Sequence, residues 1–261
     1  MTSSLNKKTI HIGVFIPSFV QLLDLACVDI FASGSYEYLS ALSPLVPEAV
    51  YSQAPSVKIY YISTSQPSAT LNLTASASIL ITHHLSSPEV QPGKLDIILV
   101  PGPDPTAVWD KEVTDWLAQH SSSHEAGTDI LSVCTGIYLC AAAGIIQGKR
   151  VCGPRGLQDD LKKKFAGQRA DWVGDELRWV SDGSFWSCGG VTNGNDLVAA
   201  YMRAKTDKFP GPVAEFATML TETGDRSQKY EVGKVRFTLG VVWQVLKAVL
   251  MGLGRGKGKR D

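Results

Sequence analysis

The chain is predicted to form an α/β three-layer sandwich around a mostly parallel sheet, and three features of the sequence carry that prediction. Short apolar, partly β-branched runs at residues 11–17, 57–62, 95–100 and 130–133 read as strands buried on both faces. Segments with apolar residues at helical spacing alternate with them. At residues 128–144 strand, tight bend and helix follow one another directly. A length of 261 residues with 44% hydrophobic composition suits one large domain or two small ones. The 25 basic and 25 acidic residues balance, which argues against a nucleic-acid surface over the body. The five cysteines (Cys27, Cys134, Cys140, Cys152 and Cys188) are odd in number and lack C-x-x-C spacing, so neither a disulfide framework nor a zinc cluster is indicated. The first eight residues contain no apolar leader, and a reducing, cytoplasmic setting is expected.

In chain order, residues 11–17 form a first strand ended by Pro17. Residues 18–31 have helical apolar spacing. Within them Asp24 stands between Leu23 and Leu25 just past the strand end, either as a site carboxylate or as an acid complementing the helix dipole. Asp29 is expected to face solvent. Residues 57–62 are a second strand and 66–92 a loop with short apolar runs. His83 and His84 follow one of these, and as neighbours on an extended chain they point in opposite directions, which disfavours a shared metal. Residues 95–100 are the clearest strand and end in a Pro/Gly-rich turn. Residues 106–119 form an amphipathic helix with Val108, Trp109, Val113, Trp116 and Leu117 on its apolar face. His120 and His124 are expected in a solvent-exposed polar loop.

Cys134 sits at the bend after the central strand, with a helix at 137–143 closing at Gly144. A side chain there projects from the sheet edge, beside backbone N–H groups that point outward. The helix dipole favours thiolate over thiol, which suits a nucleophile. The same cysteine also fits a buried structural role. Further on, 149–152 is a short strand, 153–156 a turn, and 157–165 a short basic helix. Residues 177–181 and 184–188 form a hairpin around Asp182-Gly183. A Gly-rich turn at 189–196 feeds a helix at 197–205 without a phosphate-binding glycine motif. Residues 213–223 are helical. Residues 235–253 are mostly apolar, interrupted by Arg236, Thr238, Gly240, Gln244 and Lys247, and a basic run follows at 255–260. This segment either docks on the domain or a partner subunit, or makes weak peripheral contact with an anionic membrane.

The sequence Ser132-Val133-Cys134-Thr135-Gly136 resembles the nucleophile elbow of the ThiJ/PfpI family, in the class I glutamine amidotransferase-like superfamily. The hairpin and turn over 178–196, the acidic helix start at 20–25 and the loop at 99–102 resemble further signatures in family order. The resemblance implies a flavodoxin-like fold over residues 8–208, with 209–261 as a C-terminal helical extension ending in the basic tail. It implies Cys134 as nucleophile and Asp24 as the carboxylate that shares or transfers its proton. It implies Gly102, Thr135 and Gly136 around the developing negative charge, and Arg155, Gly190 and Thr192 around the substrate. A homodimer and no cofactor or metal are also implied.

Many family members carry a histidine soon after the elbow helix. Here the equivalent segment is 151–156, with Arg155 and no histidine, and none occurs after His124. A Cys-His-acid triad is therefore disfavoured unless His83 or His84 folds back. A Cys plus Asp site resembles the isonitrile hydratase branch, which hydrates R–N≡C to an N-substituted formamide. Two alternatives remain open: glyoxalase, deglycase or redox-sensing chemistry at Cys134, and a non-catalytic ligand-binding domain. The latter usually precedes a helix-turn-helix pair, for which the extension is short and apolar.

Overall fold

The computed structural model describes residues 7–122 and 127–255. Most of the N-terminal leader, His124 and the tail beyond Arg255 lie outside them. In chain order the elements are β1 (Thr9–Phe15), α1 (Leu22–Leu25), α2 (Val28–Ser33), α3 (Tyr36–Ala41), α4 (Glu48–Tyr51), β2 (Ser56–Ser63), β3 (Thr70–Asn72), β4 (Ser78–Leu80), β5 (His83–His84) and β6 (Ile97–Val100). There follow α5 (Lys111–Ser122), β7 (Asp129–Ser132), α6 (Gly136–Ala142), β8 (Arg150–Val151), α7 (Gln158–Lys164), β9 (Asp171–Trp172), β10 (Trp179–Asp182), β11 (Phe185–Cys188), α8 (Asn193–Ala204), α9 (Gly211–Leu220) and α10 (Lys234–Arg255).

Seven strands form the main sheet in the order β10-β11-β7-β6-β1-β2-β5, parallel throughout except for β10 at one edge. Both faces of the sheet's centre are covered, so β6 is apolar without a polar side, while β2, β5 and β10 keep polar, part-exposed residues. Along β6 the alternation assigns Ile97 and Leu99 to one core and Ile98 and Val100 to the other. The first core receives α2, α8 and α9, whose Phe31, Leu197, Tyr201 and Ala214 are buried. The second receives α5 and α6 through Trp116, Leu117, Ile137 and Cys140. Phe209 and α9 are part of the first core, so the chain stays packed past residue 209 and separates from the body only near α10.

Several expectations need correction. The helix expected over 18–31 is broken into α1 and α2, because the chain must turn Asp24 inward and still bury Val28, Ile30 and Phe31. The expected loop at 66–92 contains the β3–β4 hairpin, and β5 pairs with the end of β2. The helix expected from Thr106 begins at Lys111, since 103–107 is held as a turn in which Thr106 donates to Asp104 (2.7 Å). Val108 is consequently 95% exposed rather than on an apolar face. His120 is not in a solvated loop: it lies in the last turn of α5 at 1% exposure, 4.3 Å from the Trp116 ring, with Nε2 bonded to the Val90 carbonyl (3.1 Å). Burial lowers its pKa to about 4, so its imidazole is neutral in the fold. The strand expected over 149–152 is reduced to β8, which pairs with β9 outside the main sheet.

Candidate active site

Cys134 follows β7 directly, between Val133 and the start of α6. Its φ of +56° is left-handed backbone, uncommon for a residue with a β-carbon and the kind of strain that collects at functional turns. The elbow is tight because α6 starts against β6. A β-carbon at Gly136 would collide with the Val100 carbonyl oxygen, which makes glycine the residue that fits there. We expect Gly136→Ala to lower stability by about 1–3 kcal/mol and to displace the elbow, measurable as a fall in melting temperature.

Asp24 reaches the same point from α1 at 1% exposure. Its Oδ2 accepts the Gly102 N–H (3.1 Å), and its carboxyl lies close enough to the Cys134 thiol for the two to shift each other's titration. Oδ1 is buried with no well-aligned donor. Gly102 permits this approach, since a side chain there would overlap Asp24 Oδ2 and Thr135 Oγ1. The Thr135 amide and hydroxyl each favour the ionised form of the thiol, while the hydroxyl donates its proton to the Pro103 carbonyl (2.6 Å).

The electrostatics reverse one expectation. Cys134 is 8% exposed, and burial together with the negative charge of Asp24 pushes its thiol up to about 12, although the Thr135 amide works the other way. The dipole of seven-residue α6 is outweighed: a helix terminus contributes about 0.3–1 kcal/mol, less than burying an ion costs. Burial raises Asp24 to about 7, against the pull of the Gly102 N–H and the Cys134 thiol. The resting pair is therefore a neutral thiol beside a carboxyl near its titration midpoint at neutral pH.

The remaining expected site residues divide. The Gly102 N–H is engaged by Asp24, and the Gly136 N–H by the Val133 carbonyl (2.9 Å), so neither is an open donor as expected. Of these amides, that of Thr135 is the one that favours the Cys134 thiolate. Arg155 does not pair with a site carboxylate. Its guanidinium lies over the rings of Tyr230 (4.4 Å) and Phe237 (4.9 Å) and donates to the Val232 carbonyl. Thr192 is held by Arg226 through its hydroxyl and carbonyl (3.2 and 2.7 Å), while the α-carbon of Gly190 borders open space. His83 and His84 lie on the far edge strand, four strand spacings from β7 or roughly 19 Å, and do not fold back to the site.

Two residues went unnoticed in the sequence. The Cys27 thiol donates to the Asp24 carbonyl (3.4 Å), and Cys188 is buried in the same core as Cys134 and Cys27. Burial pushes Cys27 up to about 12 and raises Cys188 well above the usual thiol range. The i, i+3 relation of Asp24 and Cys27 was a readable signal. Cys188 needed the register of β11 against β7, where Ser187 pairs with Ser132.

The DJ-1/PfpI family model matches residues 38–204, well over half of the chain. The chain belongs to the DJ-1/PfpI family. This family includes cysteine-dependent enzymes and deglycases. No curated protein sequence matches the chain. A ThiJ/PfpI family protein from Pseudomonas syringae superposes with a TM-score of 0.63 at 21% identity, over 89% of this chain and 84% of that one. An AraC family transcriptional regulator from Pseudomonas putida gives 0.60 at 12% identity, over 81% and 99%. Drosophila melanogaster DJ-1beta gives 0.58 at 15% identity, over 82% and 98%. At these identities the likeness is one of fold, and this DJ-1/PfpI chain shares the flavodoxin-like α/β architecture with all three.

Proposed function

We propose that this DJ-1/PfpI protein is a cofactor-independent enzyme that hydrates an isonitrile to an N-substituted formamide, with Cys134 as nucleophile and Asp24 as proton carrier. The observation that carries the reading is the Asp24 carboxyl buried beside the Cys134 thiol at the elbow, where burial raises it to about 7. Asp24 takes the thiol proton as sulfur bonds to the terminal carbon of R–N≡C, then delivers it to that carbon, giving the thioimidate R–N=CH–S–Cys134. Water adds to the same carbon, the C–S bond breaks, and R–NH–CHO leaves with the thiol restored. The Thr135 N–H stabilises negative charge on sulfur along the path.

A neutral resting thiol weighs against redox sensing, because oxidants react with thiolate. Members of the family commonly form homodimers, and we extend that assembly to this chain. The test is incubation of purified protein with alkyl and aryl isonitriles, with formamide followed by mass spectrometry. Formamide production that needs Cys134 is expected. Consumption of 2-oxoaldehydes without turnover of isonitriles would move the assignment to the glyoxalase or deglycase class.

A further inference from the structure

We propose that α10 is a peripheral membrane helix that lies on anionic phospholipid. Its 22 residues span about 33 Å and carry no acidic side chain. Val235, Leu239, Val242, Leu246 and Val249 recur at spacings of four and three along one face, flanked by Trp243 and Leu250, and all seven are exposed. Beside this face Arg236, Gly240, Gln244 and Lys247 form a narrow polar stripe, and the rest of the circumference is again apolar and exposed at Phe237, Val241 and Val245. Docking on its own body was the other expectation, and the helix makes no such contact along this apolar face. Among the described residues, the body's large exposed apolar side chains fall on short separate segments, Phe19, Leu22 and Leu23 on one, Met219 and Leu220 on another, and Tyr38, Leu45, Leu80 and Val108 singly.

Charge selects the occupant. From Val232 to Arg260 the sequence holds seven basic residues and no acidic one, in a chain whose total charge is zero. A second copy of this helix would bring like charges together, whereas an anionic bilayer accepts both the apolar face and the basic stripe. No helix of the described residues is long and apolar enough to cross a membrane, so the contact is one of lying on the surface. The start of α10 is fixed to the body. Lys234 bridges Asp159 (2.9 Å) and Asp175 (3.1 Å), and Arg155 binds the Val232 carbonyl and the Phe237 ring. Docking therefore tethers the whole protein.

The experiment is co-sedimentation of the full chain with phosphatidylcholine vesicles, with and without phosphatidylserine. Binding is expected to need phosphatidylserine and to weaken with added salt. Arg236→Glu combined with Lys247→Glu is expected to reduce it on the order of a hundredfold. Leu246→Glu is expected to abolish it with an unchanged far-ultraviolet dichroism and melting curve, since none of these side chains packs on the body. A blue shift of emission on vesicle addition, lost in Trp243→Phe, is the second readout. Absence of sedimentation with either vesicle would overturn the proposal. So would a concentration-dependent dimer that Leu246→Glu dissociates while vesicle binding is absent.

Discussion

Replacing Cys134 by serine is expected to lower kcat/KM by at least about a thousandfold while leaving the melting temperature within a few degrees of the parent. A hydroxyl is a far weaker nucleophile than a thiol whose proton can pass to an adjacent carboxyl. The buried volume is nearly conserved, and serine accepts the left-handed φ of position 134 no worse than cysteine does. Far-ultraviolet dichroism and a thermal melt separate lost chemistry from lost fold. Undiminished turnover of isonitrile by the serine variant would remove the sulfur from the mechanism. The other buried thiols supply an internal control. Cys140 sits in the second core on the opposite face of the sheet, so Cys140→Ala should cost stability and spare turnover.

The parallel order of the core strands was legible because β1, β6 and β7 are continuous apolar runs, which only a sheet covered on both faces requires. The elbow was legible for a related reason: strand, Cys134-Thr135-Gly136 and helix former follow each other without a linker. What failed was whatever depended on packing between distant segments. His120 looked polar in a serine-rich stretch, yet Trp116 one turn earlier and Val90 from another loop enclose it. Arg155 looked like a substitute for the missing histidine, but Tyr230 and Phe237, more than seventy positions later, hold its guanidinium instead. The sign of the Cys134 shift was missed because a local motif shows the helix dipole and hides both the burial of the sulfur and the charge of Asp24 brought beside it from α1.

Asp24→Asn is expected to move activity and stability in opposite directions. Its rate should fall by about a hundred- to ten-thousandfold, the usual contribution of a positioned acid–base group. For stability, the folded-state pKa of about 7 lies above the 3.8 of the free side chain, so the fold favours the protonated acid. That preference leaves folding unpenalised below about pH 4. The cost then accumulates as pH rises and is complete once the folded carboxyl ionises above pH 7. Three pH units correspond to on the order of 4 kcal/mol at alkaline pH. Asparagine carries no charge to bury and keeps an oxygen for the Gly102 N–H. The variant should therefore melt higher than the parent at pH 8, by on the order of 10 °C, and converge with it near pH 4. Its pH–rate profile should also lose the limb near neutrality. Parallel melting curves at both pH values, together with an unaltered limb, would show that Asp24 is neither strained by burial nor the proton carrier of this site.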